Sequence, residues 1–240
     1  MEIPLFESSN GLCPYLEGKE WLSYLTHADY LDIYLYEAMI NRGFRRSGRI
    51  FYQNQCRGCE SCVPIRVLAE QFVPSKSQRK IWKKNQDLKV TLQPAKFDAE
   101  AFAIYDLFTQ DRFNCSATAE DFQQFLVKTA VDTQMAKYYD HTGKMVAVGW
   151  LDILHQSISS VYFAFDPKES KRSLGTFSVL WEIELCKQYQ KDFLHLGFWV
   201  KECQSMAYKS RFYPHQLLVE GVWAALQWSP KAGTPDLESE

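Results

Sequence analysis

Cys56, Cys59 and Cys62 follow one another at two-residue intervals. That spacing lets successive thiolates turn inward on one metal, as in zinc knuckles and iron–sulfur loops, so one loop supplies three ligands and a fourth comes from elsewhere. Cys13, far upstream beside Pro14, is the first candidate for the fourth position and His27 the second. The competing reading is a set of reduced loop thiols with no metal. Spacing alone does not separate zinc from an iron–sulfur cluster, and either would close the loop rather than do redox chemistry. Cys115, Cys186 and Cys203 are isolated and read as small buried hydrophobes. Seven cysteines, an odd number, with no basic or apolar leader over residues 1–20, make a disulfide framework a poor reading and predict a cytoplasmic protein.

The second chemical signal is charge. Residues 75–89 hold six basic side chains against Asp87 alone, in a chain whose formal net charge is -2. Helical spacing puts Lys76, Arg79, Lys80, Lys83 and Lys84 on one face, suited to a phosphate backbone. A solvated charged face is the plainer alternative. Arg45, Arg46 and Arg66 are cations able to grip a carboxylate in bidentate fashion. His155, His195 and His215 are scattered and read as structural, and no Ser/His/Asp arrangement calls for a covalent intermediate.

These residues need elements to position them. Asp32 caps a helix over 32–43 with Gly43 as its stop, and Ser75 caps the basic helix. Asp98 opens a helix over 99–112, with Phe102, Tyr105 and Leu107 as its core stripe, and a shorter helix covers 120–128. Residues 49–52 and 63–67 read as a strand-like pair with the cysteine loop between them. Period-two patterning over 135–139, 145–154 and 160–165 predicts an antiparallel meander, followed by a loop, a helix over 174–190 and a strand over 193–200. The order predicts an α+β fold with a mixed, largely antiparallel sheet. Composition, with 46% hydrophobic residues, 11 Gly and 9 Pro, excludes collagen-like, coiled-coil and low-complexity classes, and no apolar run is long enough to span a membrane. The division expected is an N-terminal region 1–96 with the cysteines and basic helix, a C-terminal region 97–228, and a mobile tail 229–240.

The loop from Arg172 through Gly175 to Phe177 resembles the R-x-x-G-x-G/A pyrophosphate loop of the GNAT N-acyltransferases, where helix-terminal amides hold an anion. Phe177 stands where that loop has a small residue, which disfavours coenzyme A. Taken with Tyr36-Glu-x-Met-Ile and Gly43-Phe-Arg-Arg-Ser-Gly48, with Cys56-x-x-Cys-x-x-Cys-Val-Pro-Ile-Arg-Val67, and with Tyr162, Asp166-Pro167, Leu196-Gly-Phe-Trp199, Cys203 and Tyr208-Lys209, the chain resembles the arginyl/leucyl-tRNA–protein transferase family. It is most similar to the bacterial branch, the aspartate/glutamate leucyltransferases. The likeness runs over about residues 5–228.

The resemblance implies a GNAT-like acyltransferase fold and transfer of leucine or arginine from a charged tRNA to the α-amine of a protein beginning with Asp or Glu, within the N-degron pathway. It implies no cofactor for the transfer itself. In eukaryotic relatives a Cys-x-x-Cys pair near the start joins a later pair on an iron–sulfur cluster, and here Leu16 replaces the second early cysteine. An aminoacyl ester is already activated and an α-amine is substantially neutral at cellular pH, so positioning can carry most of the catalysis. On this reading the Lys76 to Lys84 face holds tRNA, and Arg45, Arg46 or Arg66 hold the acidic side chain. Arg172, Ser173, Gly175 and Thr176 face the terminal adenosine, with Asp166 and Tyr208 as candidate proton acceptors. The alternatives are a coenzyme-A-dependent N-acetyltransferase and a non-catalytic, metal-stabilised RNA-binding module.

Overall fold

A computed structural model describes residues 4–225 of the chain. The expected mobile tail at 229–240 lies outside the described residues. A four-stranded antiparallel sheet has the order β1 (Phe6–Leu12), β2 (Glu20–His27), β4 (Ile50–Asn54), β3 (Arg45–Ser47). Between β2 and β3 runs α1 (Ile33–Asn41), whose cap Asp32 accepts from the amides of Tyr34 and Leu35. That cap satisfies first-turn amides that the helix itself cannot. Tyr36, Met39 and Ile40 recur on one face and bury against Phe44, Phe51 and Leu154, which fastens the helix to both sheets.

The second sheet has eight strands. It begins with β5 (Val63–Leu68), and after α2 (Lys76–Lys84) comes β6 (Lys89–Pro94). Then follow α3 (Ala99–Phe113), the short α4 (Ala119–Phe122) with a π turn, and the meander β7 (Thr133–Tyr139), β8 (Met145–Ile153), β9 (Ser157–Phe165). The chain closes with α5 (Leu174–Gln188), β10 (Phe193–Trp199), the short α6 (Gln204–Ala207), β11 (His215–Val219) and β12 (Val222–Ala225). The order across the sheet is β12-β11-β5-β10-β9-β8-β7-β6. β5 and β6 come from before residue 97 and the other six from after it, so the sheet runs across that point in the chain. The strand-like pair expected around the cysteine loop does not pair: β4 and β5 lie in different sheets, and the loop joins the two.

Helix α2 carries a full capping box, Ser75 with Gln78. This reciprocal bond fixes where the basic face starts. In α3 the buried stripe is Ala101, Ile104, Tyr105 and Phe108, while Leu107 is exposed, because the 3.6-residue period carries 107 round to the outer side. Helix α5 lies over the sheet, burying Leu180, Ile183 and Cys186 against Ile158 and Leu194. No helix among the described residues is long and apolar enough to cross a membrane.

One feature of the sheet creates the site. All its strand pairs are antiparallel except β9 with β10, which are parallel and paired only from Ser157↔Phe193 to Ser159↔His195. Beyond that point the two strands lose their register and a cavity opens between them. A bulge at Val161, where Leu151↔Ser160 is followed by Trp150↔Tyr162, breaks the alternation of β9. Four consecutive residues, 160–163, therefore line the cavity instead of every second one.

Candidate active site

The cavity is about 440 Å³ and lies where β9 leaves β10, beneath the N-terminus of α5. Ser160 to Phe163 and Leu196 form its sheet side, Ser173 to Thr176 with Ser178 its helix side, and Phe108 and Arg112 of α3 a third wall. Met206, Tyr208 and Lys209 complete it. Of the loop residues the sequence singled out, Ser173, Gly175 and Thr176 are therefore in place. Ser173 is left-handed at φ 56° and starts α5 without a side-chain cap. The first amides of the helix are thus left to the cavity with the positive end of the helix dipole. A Cβ at Gly175 would meet nothing within 4 Å, so the lining is open there.

Arg172 is a correction. Its guanidinium is bidentate to Asp87 at 2.9 and 3.0 Å and bonds Glu169 at 2.8 Å. It ties the loop to the turn after α2 and does not line the cavity, because a partner 85 residues earlier in sequence claims it. Phe177 also turns away from the cavity: it is buried against Trp82 and Tyr138, so its bulk does not obstruct an anion at the helix start. Asp166 is a second correction. It bonds Lys144 at 2.8 Å and the Lys168 amide at 3.0 Å. Burial raises its pKa, but those bonds outweigh it and hold the carboxyl below its usual range, which leaves a poor proton acceptor outside the cavity lining.

The three arginines separate. Arg46 is bidentate to Asp152 at 2.7 and 2.8 Å and also bonds Thr133 and the Gly48 carbonyl, so it is fully engaged and unavailable to a substrate. Burial works against its charge, and Asp152 more than offsets that. Arg66 lies between the rings of Phe193 and Trp223, 3.7 and 4.3 Å from their centroids, and bonds Asn41 and Gln216. Burial lowers its pKa to about 10, and it does not line the cavity. Arg45 is the one beside it.

Arg45 is 7% exposed and donates to the Ser160 carbonyl at 2.7 Å and the Ser159 hydroxyl at 3.3 Å. Its guanidinium packs over Gly197, where a Cβ would sit 3.4–3.5 Å from three of its atoms. Gly197 has φ +82° and marks the point where the β10–β5 register shifts, so glycine serves both the bulge and the close approach. Next to Arg45, Lys209 lines the cavity and donates to the Phe198 carbonyl at 2.8 Å. Burial, and then the charge of Arg45, lower its pKa to about 7. Neither cation pairs with a carboxylate among the described residues. Lys209 thus stands at the cavity wall with Arg45 packed behind it on the Ser160 carbonyl, and neither has a carboxylate among the described residues to pair its charge. His195, buried near Arg45 and Arg66, is held neutral, first by burial and then by those charges.

Tyr208 lines the cavity, and burial raises its pKa to about 12, so it stays a phenol that can donate or relay a proton. Lys76, Arg79, Lys80, Lys83 and Lys84 are all exposed on α2, and none forms an ion pair with a carboxylate among the described residues. Lys84 donates to the carbonyl of Lys171, which links the basic face to the loop entering the cavity.

Cys13, Cys56, Cys59 and Cys62 share one small cavity of about 30 Å³, so the upstream cysteine does meet the loop. His27, at the exposed end of β2, does not line it. Burial raises the pKa of Cys62 to about 11, Cys56 bonds the backbone of Leu22, and Cys59 bonds Ser61. No three metal-ligating side chains among the described residues are arranged as a ligand shell. Of the three cysteines read as buried hydrophobes, only Cys186 is buried, and Cys115 is exposed.

Sequence reasoning missed Lys209 and Ser160, which touch the site, and the buried Glu182 behind it. A signal was present for Glu182. It falls four residues after Ser178 and four before Cys186, on the core stripe of an apolar helix, where a carboxyl is out of place.

Two family models match the chain: arginine-tRNA-protein transferase, N terminus, over residues 11–80, and the C terminus of the same family over residues 100–219. The aspartate/glutamate leucyltransferase of Thiobacillus denitrificans is 37% identical over 220 residues, 90% of this chain and 91% of that protein. That of Chromobacterium violaceum is 33% identical over 219 residues, 89% and 90% of the two chains. Among solved structures, FemX aligns with a TM-score of 0.51 at 7% identity, covering 89% of this chain and 86% of that one, which speaks for the fold alone.

Proposed function

The chain belongs to the arginine-tRNA-protein transferase family, and from that premise we propose that it moves leucine from a charged tRNA onto the α-amine of proteins whose first residue is Asp or Glu. The observation that carries the substrate side is Lys209 at the cavity wall with the buried Arg45 behind it, neither paired with a carboxylate among the described residues. A half-buried lysine beside a buried arginine, with no carboxylate for either, is costly in the empty protein, and an acidic side chain entering at Lys209 offsets that cost. A neutral side chain leaves both unpaired, so discrimination follows from the same desolvation.

The donor end is set by the opposite wall. The open start of α5, with the amides of Leu174 and Gly175 free among the described residues, favours the negative charge of the terminal adenosine phosphate or of the oxyanion formed on attack. The amine nitrogen bonds to the acyl carbon, the ester bond to the ribose oxygen breaks, and that oxygen leaves with a proton. No cofactor is called for, because the ester carries its own activation. Holding ester and amine in one enclosed site converts an encounter of two solutes into a positioned reaction.

The exposed face of α2 supports the tRNA. The expected result of charge reversal at Lys80 and Lys83 together is weaker tRNA binding with a shallower dependence on salt, the slope of log K against log salt falling by about two. Filter binding over a salt series checks it, and an unchanged slope would return that face to solvent.

The function itself is tested with radiolabelled leucyl-tRNA or arginyl-tRNA and peptides beginning with Asp, Glu or Ala. Label is expected in the Asp and Glu peptides from the leucyl donor. Its absence with every donor would remove the proposal.

A further inference from the structure

Behind the cavity lies a carboxyl that none of the steps above uses. Glu182 is 1% exposed, on the inner face of α5, and its Oε2 has no hydrogen-bond partner among the described residues. It sits one helical turn from Ser178, which lines the cavity; Ser160 bonds it and Tyr208 feels its charge, and both of these also line the cavity. The hydroxyls of Ser160 and Tyr208 thus link the buried carboxyl to the cavity in which an amine attacks an ester. Ser160 is the junction: its carbonyl accepts from Arg45, while its hydroxyl bonds towards Glu182.

We propose that Glu182 is the proton store of the transfer reaction, taking the proton of the attacking amine through the Ser160 hydroxyl and returning it to the departing ribose oxygen. This rests on the aminoacyl-transfer reading. The balance is complete: nitrogen gains the acyl carbon and loses one proton, the ribose oxygen loses the acyl carbon and gains one proton, and Glu182 ends as it began. Glu182 acts through Ser160, so it positions and relays and does not touch the substrate.

The surroundings suit that role. Burial raises the carboxyl to about pH 8, and the Ser160 bond pulls it partly back. A group poised there both takes and gives a proton near neutrality. The titratable side chains facing it are Tyr138 on β7, Tyr208 after β10 and Cys186 on its own helix, and burial keeps all three protonated. Arg112 of α3 acts on Tyr208. In a purely structural role, a buried carboxyl lacking a cationic partner would be a liability, since Gln would fill the same space without the ionisation.

The test is single-turnover transfer at saturating Asp-peptide, across pH 5.5–9, for the wild type, Glu182→Gln and Ser160→Ala. The expected result is a loss of about a hundredfold in rate for Glu182→Gln. Of the two inflections in the wild-type profile, the amine's remains and the second disappears. An infrared carboxylic-acid band that titrates near pH 8 in the wild type is absent from Glu182→Gln. Ser160→Ala keeps that band but loses the rate, since the relay is cut while the acid remains. Folding gives an opposite sign. A carboxyl raised from its ordinary value near 4.5 costs stability progressively as pH rises towards 8, so Glu182→Gln melts above the wild type in that range. Wild-type rate and profile in both variants would overturn the proposal. Absence of transfer by the wild type with any donor would instead sink the family-level reading.

Discussion

Lys209→Met lowers kcat/KM for peptides beginning with Asp or Glu by about a hundredfold, in line with truncating one partner of a buried ion pair. It leaves peptides beginning with Asn or Gln nearly unaffected. The preference for acidic side chains therefore collapses even though the reaction survives. Competition assays with paired peptides measure the ratio directly. The same substitution stabilises the empty protein. A lysine whose pKa falls from 10.5 to about 7 on folding costs increasing stability as pH drops from 10.5 to 7, and the cost is constant below that. The Tm of Lys209→Met therefore exceeds that of the wild type most at pH 7 and below. Acidic peptide should close the gap, because its carboxylate pairs with the ammonium and restores the proton. A Lys209→Met protein with lower Tm and undiminished selectivity would mean that the lysine only fills space.

Arg46→Met is expected to be the most destabilising single change, at about 3–5 kcal/mol, because it leaves Asp152 charged and buried. In a chain of this size that is a fall in Tm on the order of 10 °C. Asp152 accepts from both Arg46 nitrogens, from Thr133 at 2.7 Å and from the Tyr36 hydroxyl at 3.1 Å, and Arg46 and Asp152 are each 1% exposed in their side chains. The pair joins β3 of the small sheet to β8 of the large one, so its loss also loosens the strand that carries Arg45. Removing both charges, as in Arg46→Met with Asp152→Leu, recovers much of the stability, and the remaining deficit of about 1–3 kcal/mol comes from the hydrogen bonds that Tyr36, Thr133 and the Gly48 carbonyl lose. Thermal melts of the three variants decide this, with a double variant no better than Arg46→Met alone as the contrary outcome.

Local rules made several elements readable before any coordinates. Asp32, Ser75 and Asp98 each cap the helix expected of them, since the relevant bonds are made within three residues. The meander of β7, β8 and β9 was legible from alternation and a short turn. β1 was not, because Phe6–Leu12 is polar and exposed and is held as a strand only by pairing with β2. β3 is three residues long, too short for a period to show. The candidate site was legible in outline and misleading in detail for one reason. Arg46, Arg172 and Asp166 look in sequence like Arg45 and Lys209, and what separates them is a partner 106, 85 or 22 residues away. Long-range pairing decides which charges are structural and which are left for a ligand.

A structure of the protein with a peptide beginning with Asp and a non-hydrolysable 3′-amide analogue of leucyl-adenosine examines the arrangement directly. The amine nitrogen and acyl carbon should lie together between Ser160 and Gly175, with the aspartate carboxylate on Lys209 and Arg45 and the adenosine leading out past the first turn of α5 towards α2. Peptide and adenosine bound on separate faces of the molecule, or the carboxylate resting away from Lys209 and Arg45, would contradict the account.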